Sequence, residues 1–211
     1  MHLENLNQTK EVLNMMKWIF GGLAATVAIL LLGYNGLVSK DTTVTAAMSQ
    51  IQNQEQRRGD LIPNLVRTVQ GYAAHEKGVF EAVTSARAQV GKLTMNVDAE
   101  RLVADPALQK QLSDAQQSLS GALSRLIAVS ENYPQLKADQ GFLSLQSQIE
   151  GSENRIAVAR RDYIEAVRTF NASIRKFPTV VFAGFFGFDK KPEFEVPAEK
   201  REVPVVDFSK S

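Results

Sequence analysis

An uncharged stretch from Trp18 to Ser39, WIFGGLAATVAILLLGYNGLVS, closed by Lys17 and Lys40, constrains this chain more than any other feature. Wound as a helix it reaches about 33 Å, enough to cross a hydrocarbon core of about 30 Å. The stretch predicts one transmembrane helix over 18–39 and argues against most soluble-enzyme folds. A cleaved signal peptide is the competing reading. The run is longer than a usual signal core, however, and no small-x-small triplet sits at its end. Leu30-Leu31-Leu32-Gly33 would suit a lipoprotein signal if Cys followed; Tyr34 follows, and the chain contains no Cys. Residues 1–17 form a separate N-terminal segment. Met15 or Met16 offers an alternative start to Met1, which would make residues 1–14 an upstream extension.

Charge narrows the classes further. Lys and Arg total 24 against 23 Asp and Glu, without a basic block, so no electrostatic footprint for nucleic acid is present. Lacking Cys, the chain has neither disulfides nor thiolate chemistry, which suits either side of a membrane. Lys10 and Lys17 precede the span, and Lys40 alone follows it before Arg57. That bias favours the N-terminus inside and the following domain outside.

Beyond the span, apolar residues recur at the 3.5-residue period of a bundle seam. Steps of four and three from Val44 through Met48, Ile51, Ile62, Leu65, Val69, Tyr72, Val79, Val83 and Ala86 end at Val90, with Glu55, Arg58 and Glu76 as the departures. Read as one helix, this stripe is about 70 Å long, kinked at Pro63 and stopped at Gly91. A second stripe runs from Leu108 to Leu136, with Asp105 as N-cap, Pro106 at the first helical position, and Pro134 breaking or bending its end. A third runs from Phe142 to Phe177 and stops at Pro178. The predicted fold class is therefore all-α: an N-terminal transmembrane helix, then an elongated antiparallel bundle of three long helices over 40–188. Connector 91–105 has room for a short fourth helix.

After Pro178 the composition changes. Val180 to Phe188 reads VVFAGFFGF, and residues 189–211 mix charges with Pro192, Pro197 and Pro204. An extended aromatic tail and then a charged, partly mobile one are expected. An up-down-up order places 180–188 at the end of the bundle far from the anchor. There Phe182, Phe185, Phe186 and Phe188 would either pack into the end of the core or form a patch for a second copy, a partner protein or an opposing membrane. Arg58, Glu76, Glu153 and Arg160 fall on the stripes; either the seam drifts outward there and leaves them solvated, or they are the candidate ionic seam, with Arg160 expected within about one turn of Glu76.

Several blocks resemble the bacterial LemA family. They are Tyr34 to Val38, Gln56 to Val66, Tyr72 to Glu76, Glu131 to Ala138, and Ala159-Arg160 through Asn171 to Phe177-Pro178. The departures are Ile164, where the family often has Asn, and Phe170, where Tyr is common. The resemblance implies a single-pass membrane protein with an extended helical bundle and no established enzymatic activity. It also implies relatives that occur beside membrane-stress proteases and repair-domain membrane proteins, and one branch that takes part in internal membrane remodelling in magnetotactic bacteria.

Chemical motifs are sparse. His75-Glu76 would open a zinc-protease helix, but Val79 stands where the second His is needed. No Gly-rich phosphate cradle, serine elbow or metal-ligand cluster occurs, so neither cofactor nor metal is expected. Arg58-Gly59-Asp60 spells an adhesion tripeptide, yet it lies in a helix with Arg58 on the buried stripe. Asn7 and Asn171 head glycosylation sequons that a bacterial source would not use. Glu131 beside Tyr133-Pro134 lacks a second positioned acid or base and reads as a structural cap. The sequence thus points to a non-catalytic, self-associating membrane scaffold in contact with the bilayer. An accessory subunit of a membrane protease or envelope-stress complex is the alternative, and a cryptic enzyme is the least favoured.

Overall fold

In a computed structural model, the backbone is described for residues 2–192 and the side chains for residues 13–192. Most of the N-terminal segment's side chains and the charged tail from 193 onward lie outside these residues. The described residues form helices α1 (His2–Tyr72), α2 (Lys77–Met95), α3 (Ala99–Ala104), α4 (Pro106–Val129), α5 (Pro134–Lys137) and α6 (Gln140–Ile174), joined by short turns and with no strand among them. The protein is all-α. By Cα packing it divides into two compact units, one combining Met1–Thr43 with Thr169–Lys190 and the other built on Val44–Arg168.

In the second unit the first stripe does not make one helix. α1 passes through Pro63 and ends at Tyr72, and the chain turns over residues 73–76 before α2 begins. α2 then runs back along α1. Gln52 Nε2 donates to the carbonyls of Thr94 (3.2 Å) and Val97 (2.7 Å), and Arg87 Nε donates to that of Gly59 (2.7 Å). The seam slips by one residue across the turn: Phe80 is buried while Val79, on the original stripe, is only half-buried. A heptad stripe specifies burial along one face, and a partner helix folded from the same chain satisfies it as well as a separate helix does. Gly91 does not stop α2, which continues to Met95.

The connector after α2 holds the short α3, and α4 starts where the sequence placed it. Asp105 Oδ1 accepts the backbone N–H of Ala107 (2.8 Å) and of Leu108 (3.3 Å), and Pro106 needs no acceptor. Pro134 likewise opens α5 after α4 has ended at Val129. At the start of α6, Asp139 Oδ1 accepts the Phe142 N–H (2.7 Å), and its Oδ2 accepts the Tyr72 hydroxyl at the end of α1 (3.0 Å). These bonds hold the Asp139 carboxyl below the usual carboxylate range, the Phe142 amide being the larger cause. With α1, α2, α4 and α6 alternating in direction, the second unit is a four-helix antiparallel bundle. Its core includes Ile51, Leu65, Val69, Phe80, Val83, Leu112, Leu119, Leu126, Phe142 and Ile156, all buried.

In the first unit, Thr179 caps the end of the α6 region by donating through Oγ1 to the carbonyls of Ser173 and Lys176, each at 2.6 Å. The aromatic segment then winds through a 3-10 turn at Thr179–Val181 and a run of turns. Gly187 takes φ 76°, a left-handed conformation that an L side chain resists, and the Phe188 N–H then reaches the Ala183 carbonyl (3.0 Å).

Urea unfolding of the detergent-solubilised chain separates cap from core. Asp105→Ala should cost about 0.5–2 kcal/mol by orphaning two amides, and Leu119→Ala about 2–5 kcal/mol by leaving a cavity.

Candidate functional site

Three helices of the second unit meet at a buried guanidinium. Arg58 on α1 is 1% exposed, and its Nη2 donates to Glu55 Oε2 one turn earlier at 2.5 Å. Its Nη1 donates to Glu153 on α6 and to Ser120 Oγ on α4, the latter at 3.2 Å. Ser120 in turn donates to Glu153 Oε1 (3.0 Å), closing a ring of contacts across α1, α4 and α6. Arg160, two turns further along α6, donates through Nη2 to Gln116 Oε1 on α4. Two carboxylates and two guanidinium groups thus share one layer, with nearly balanced charge.

Burial dominates the electrostatics of this layer. Desolvation pushes the Glu55 carboxyl above its ordinary range, and the nearby Arg58 and Arg160 only partly offset it. Desolvation also lowers Arg160, opposed by Glu55, while a guanidinium stays protonated at any ordinary pH. Below this layer Gln109 donates to the Tyr163 hydroxyl (2.9 Å), whose burial pushes its pKa up to about 12.

Of the four seam residues expected, the structure brings Arg58, Glu153 and Arg160 into one neighbourhood. Glu76 lies apart from them, at the half-buried residue preceding α2, with no side-chain cap bond. The expected closeness of Arg160 and Glu76 assumed that the first stripe and α6 run parallel. The reversal over 73–76 makes α6 antiparallel to α1 and removes that alignment. Glu55 takes the place given to Glu76. It lies on the same stripe three residues from Arg58, a spacing that could have singled it out. Gln116 and Ser120 carried no such signal, because uncharged polar residues on a helix are ordinary.

Beside the layer a cleft of ≈ 600 Å³ opens between α4 and α6, lined by Ser113, Gln116, Ser120, Glu150, Glu153 and Arg160 among others. Its lining contains no His, Cys or Lys. Among the described residues, no group of three or more His, Cys, Asp or Glu is placed to hold a metal ion. The arrangement offers hydrogen-bond donors and acceptors at fixed positions, without a nucleophile set against a histidine.

The aromatic residues assemble in the first unit. Phe182 is buried with Leu37 and Ala183, and its ring covers Gly33, where an added Cβ would come within 2.6 Å of the ring. Tyr34 meets Phe186 and Phe188 edge-on, with centroids 5.2 and 5.7 Å apart. Phe185 stays 88% exposed. The expected position far from the anchor is therefore wrong. With four helical passes instead of three, the residues after α6 meet those that precede Val44.

α1 also carries the apolar stretch, and among the described residues it is the one helix long and apolar enough to cross a membrane. A family model described as the LemA family matches residues 47–208. The chain belongs to the LemA family. Among relatives, Magnetosome protein MamQ 2 of Paramagnetospirillum magneticum is 29% identical over 197 residues, covering 87% of this chain and 72% of the relative. Magnetosome protein MamQ of Magnetospirillum gryphiswaldense is 27% identical over 190 residues, 83% of this chain and 70% of its own length. Protein LemA of Metamycoplasma hominis is 28% identical over 145 residues, 69% of this chain and 61% of its own length.

Arg58→Ala in this LemA-family bundle should destabilise it by about 3–5 kcal/mol, because Glu55 is left buried and unpaired. Adding Glu55→Leu should restore most of that loss, and Glu76→Ala should change stability by less than about 1 kcal/mol. The pH dependence has a fixed sign. A carboxyl raised in the folded state stabilises the fold below its unfolded pKa, near 4.5, and loses that contribution as pH rises through the folded value. Glu55→Gln should therefore be more stable than the parent at neutral pH, and the gap should close as pH falls toward 4.5. Urea midpoints measured across that range check this.

Proposed function

We propose that this protein is a membrane-anchored helical scaffold of the bacterial envelope that works by holding protein surfaces beside a bilayer and by self-association, not by catalysis. One observation carries the reading. Around the whole circumference of α1 from Trp18 to Leu32 the side chains are exposed, with Trp18 83%, Phe20 64% and Leu32 74% exposed. An apolar surface of that length is expensive in water, and a bilayer covers it. Residues 18–39 then form the retained span and the bundle is the soluble part. The similarity to proteins named as magnetosome proteins supports a role at membranes. A buried charge layer that sets helix register suits a bundle whose task is to present a defined surface.

The bias of Lys10 and Lys17 against Lys40 supports an N-terminus in the cytoplasm and a bundle in the periplasm of the inner membrane. Full-length protein should stay with membranes through carbonate washing. The chain has no Cys, so Glu81→Cys on α2 supplies a single label site. In intact spheroplasts a membrane-impermeant maleimide should label it; labelling only after lysis would place the bundle inside. The mass of the detergent complex should exceed one chain. A monomer that co-purifies stoichiometrically with a membrane protease would favour the accessory-subunit reading instead.

A further inference from the structure

The aromatic segment after α6, through Phe182, Phe186 and Phe188, grips Gly33, Tyr34 and Leu37. Those three residues lie inside the uncharged stretch. From Trp18 to Tyr34 the helix rises about 24 Å, so a hydrocarbon core of about 30 Å that begins near Trp18 extends past the point of attachment. Phe177, Val181 and Phe185 take no part in that grip and are 84%, 75% and 88% exposed. Three large apolar side chains exposed within nine residues of one segment are costly to leave in water. The neighbouring phase at this depth is lipid.

Charge agrees with that placement. Arg175 and Lys176 immediately precede the aromatic segment, and Asp189 then Lys190 follow it, all four exposed, while Lys40 closes the uncharged stretch on α1. Cations that bracket an apolar surface suit lipid phosphates above a buried aromatic wedge. Phe side chains on an apolar face sink into the headgroup–acyl boundary while the flanking cations stay in water.

We propose that residues 177–188 form a second membrane contact: an aromatic wedge inserted into the headgroup–acyl boundary of the leaflet where the span emerges. The inference rests on residues 18–39 being a retained span. Continuity with that span selects lipid over a second copy of the chain as the cover for Phe177, Val181 and Phe185. The wedge would dock the end of α6 to the bilayer without crossing it.

Quenching by brominated lipid tests this in full-length protein reconstituted into phosphatidylcholine–phosphatidylglycerol vesicles. Phe185→Trp is made together with Trp18→Phe, so that one indole reports, and the parent with its single Trp18 serves as the control. Position 185 is exposed and accepts a larger ring. The introduced indole should emit at a blue-shifted wavelength, lose most of its intensity in lipid brominated near the headgroup end of the acyl chain, and resist aqueous iodide. Iodide quenching without bromolipid quenching would show the wedge in water and overturn the proposal. Insensitivity to both would show a protein surface covering it, which overturns it equally. If Trp18 in the parent also escapes bromolipid, the span itself has failed and the wedge falls with it; quenching of Trp18 alone isolates the failure to residues 177–188.

Discussion

Arg58 cannot be buried unless close acceptors come to it from more than one helix. A guanidinium out of water loses several kcal/mol of solvation, and only close, well-aimed acceptors offset that loss. Glu55 reaches it from one turn away on the same helix, but Glu153 and Ser120 reach it from α6 and α4. Sliding α6 by a heptad relative to α1 would keep an apolar stripe against an apolar stripe and leave Arg58 without Glu153. The core contacts tolerate several alignments, and the ionic layer accepts one. The layer therefore adds specificity more than stability, and the vertical positions of Gln116, Arg160, Gln109 and Tyr163 follow from it.

In the first unit, close approach at one glycine has a comparable role. Gly33 lies in a helix, where glycine costs about 1 kcal/mol relative to alanine. It is compensated because the Phe182 ring occupies the space where a Cβ would be. Tyr34 beside it supplies the aromatic edge against Phe186 and Phe188. Within an apolar stretch read only for hydropathy, Gly33 and Tyr34 look like neutral filler. They are the residues that define where the aromatic segment attaches.

Membership of the LemA family and the chemistry of the site are compatible at the level of residues. Arg58 falls within the block Gln56–Val66, and Arg160 within the closing block, both of which carried the resemblance. Gln116 and Ser120, which complete the layer from α4, fall outside those blocks. A motif made of charged residues on two helices was visible; its neutral partners on a third were not.

The sequence by itself determined the elements whose causes are local. The uncharged stretch, the Asp105-Pro106 start of α4, the break at Pro134 and the apolar stripes of α4 and α6 each depend on residues within a few turns of one another. It also marked Arg58, Glu153 and Arg160 as seam residues, and marked Glu76 equally with them. Which partners they face was decided by tertiary structure, through the reversal over residues 73–76. That turn contains no proline, and the heptad pattern continues almost undisturbed across it, because a seam looks the same whether its helix runs on or folds back. The choice depends on whether Phe80, Val83 and Val90 bury more surface against α1 and α4 than a longer single helix could. That comparison involves residues far apart in the chain. Once it is made, the number of passes changes from odd to even, Glu55 replaces Glu76 in the ionic layer, and the aromatic segment meets Gly33.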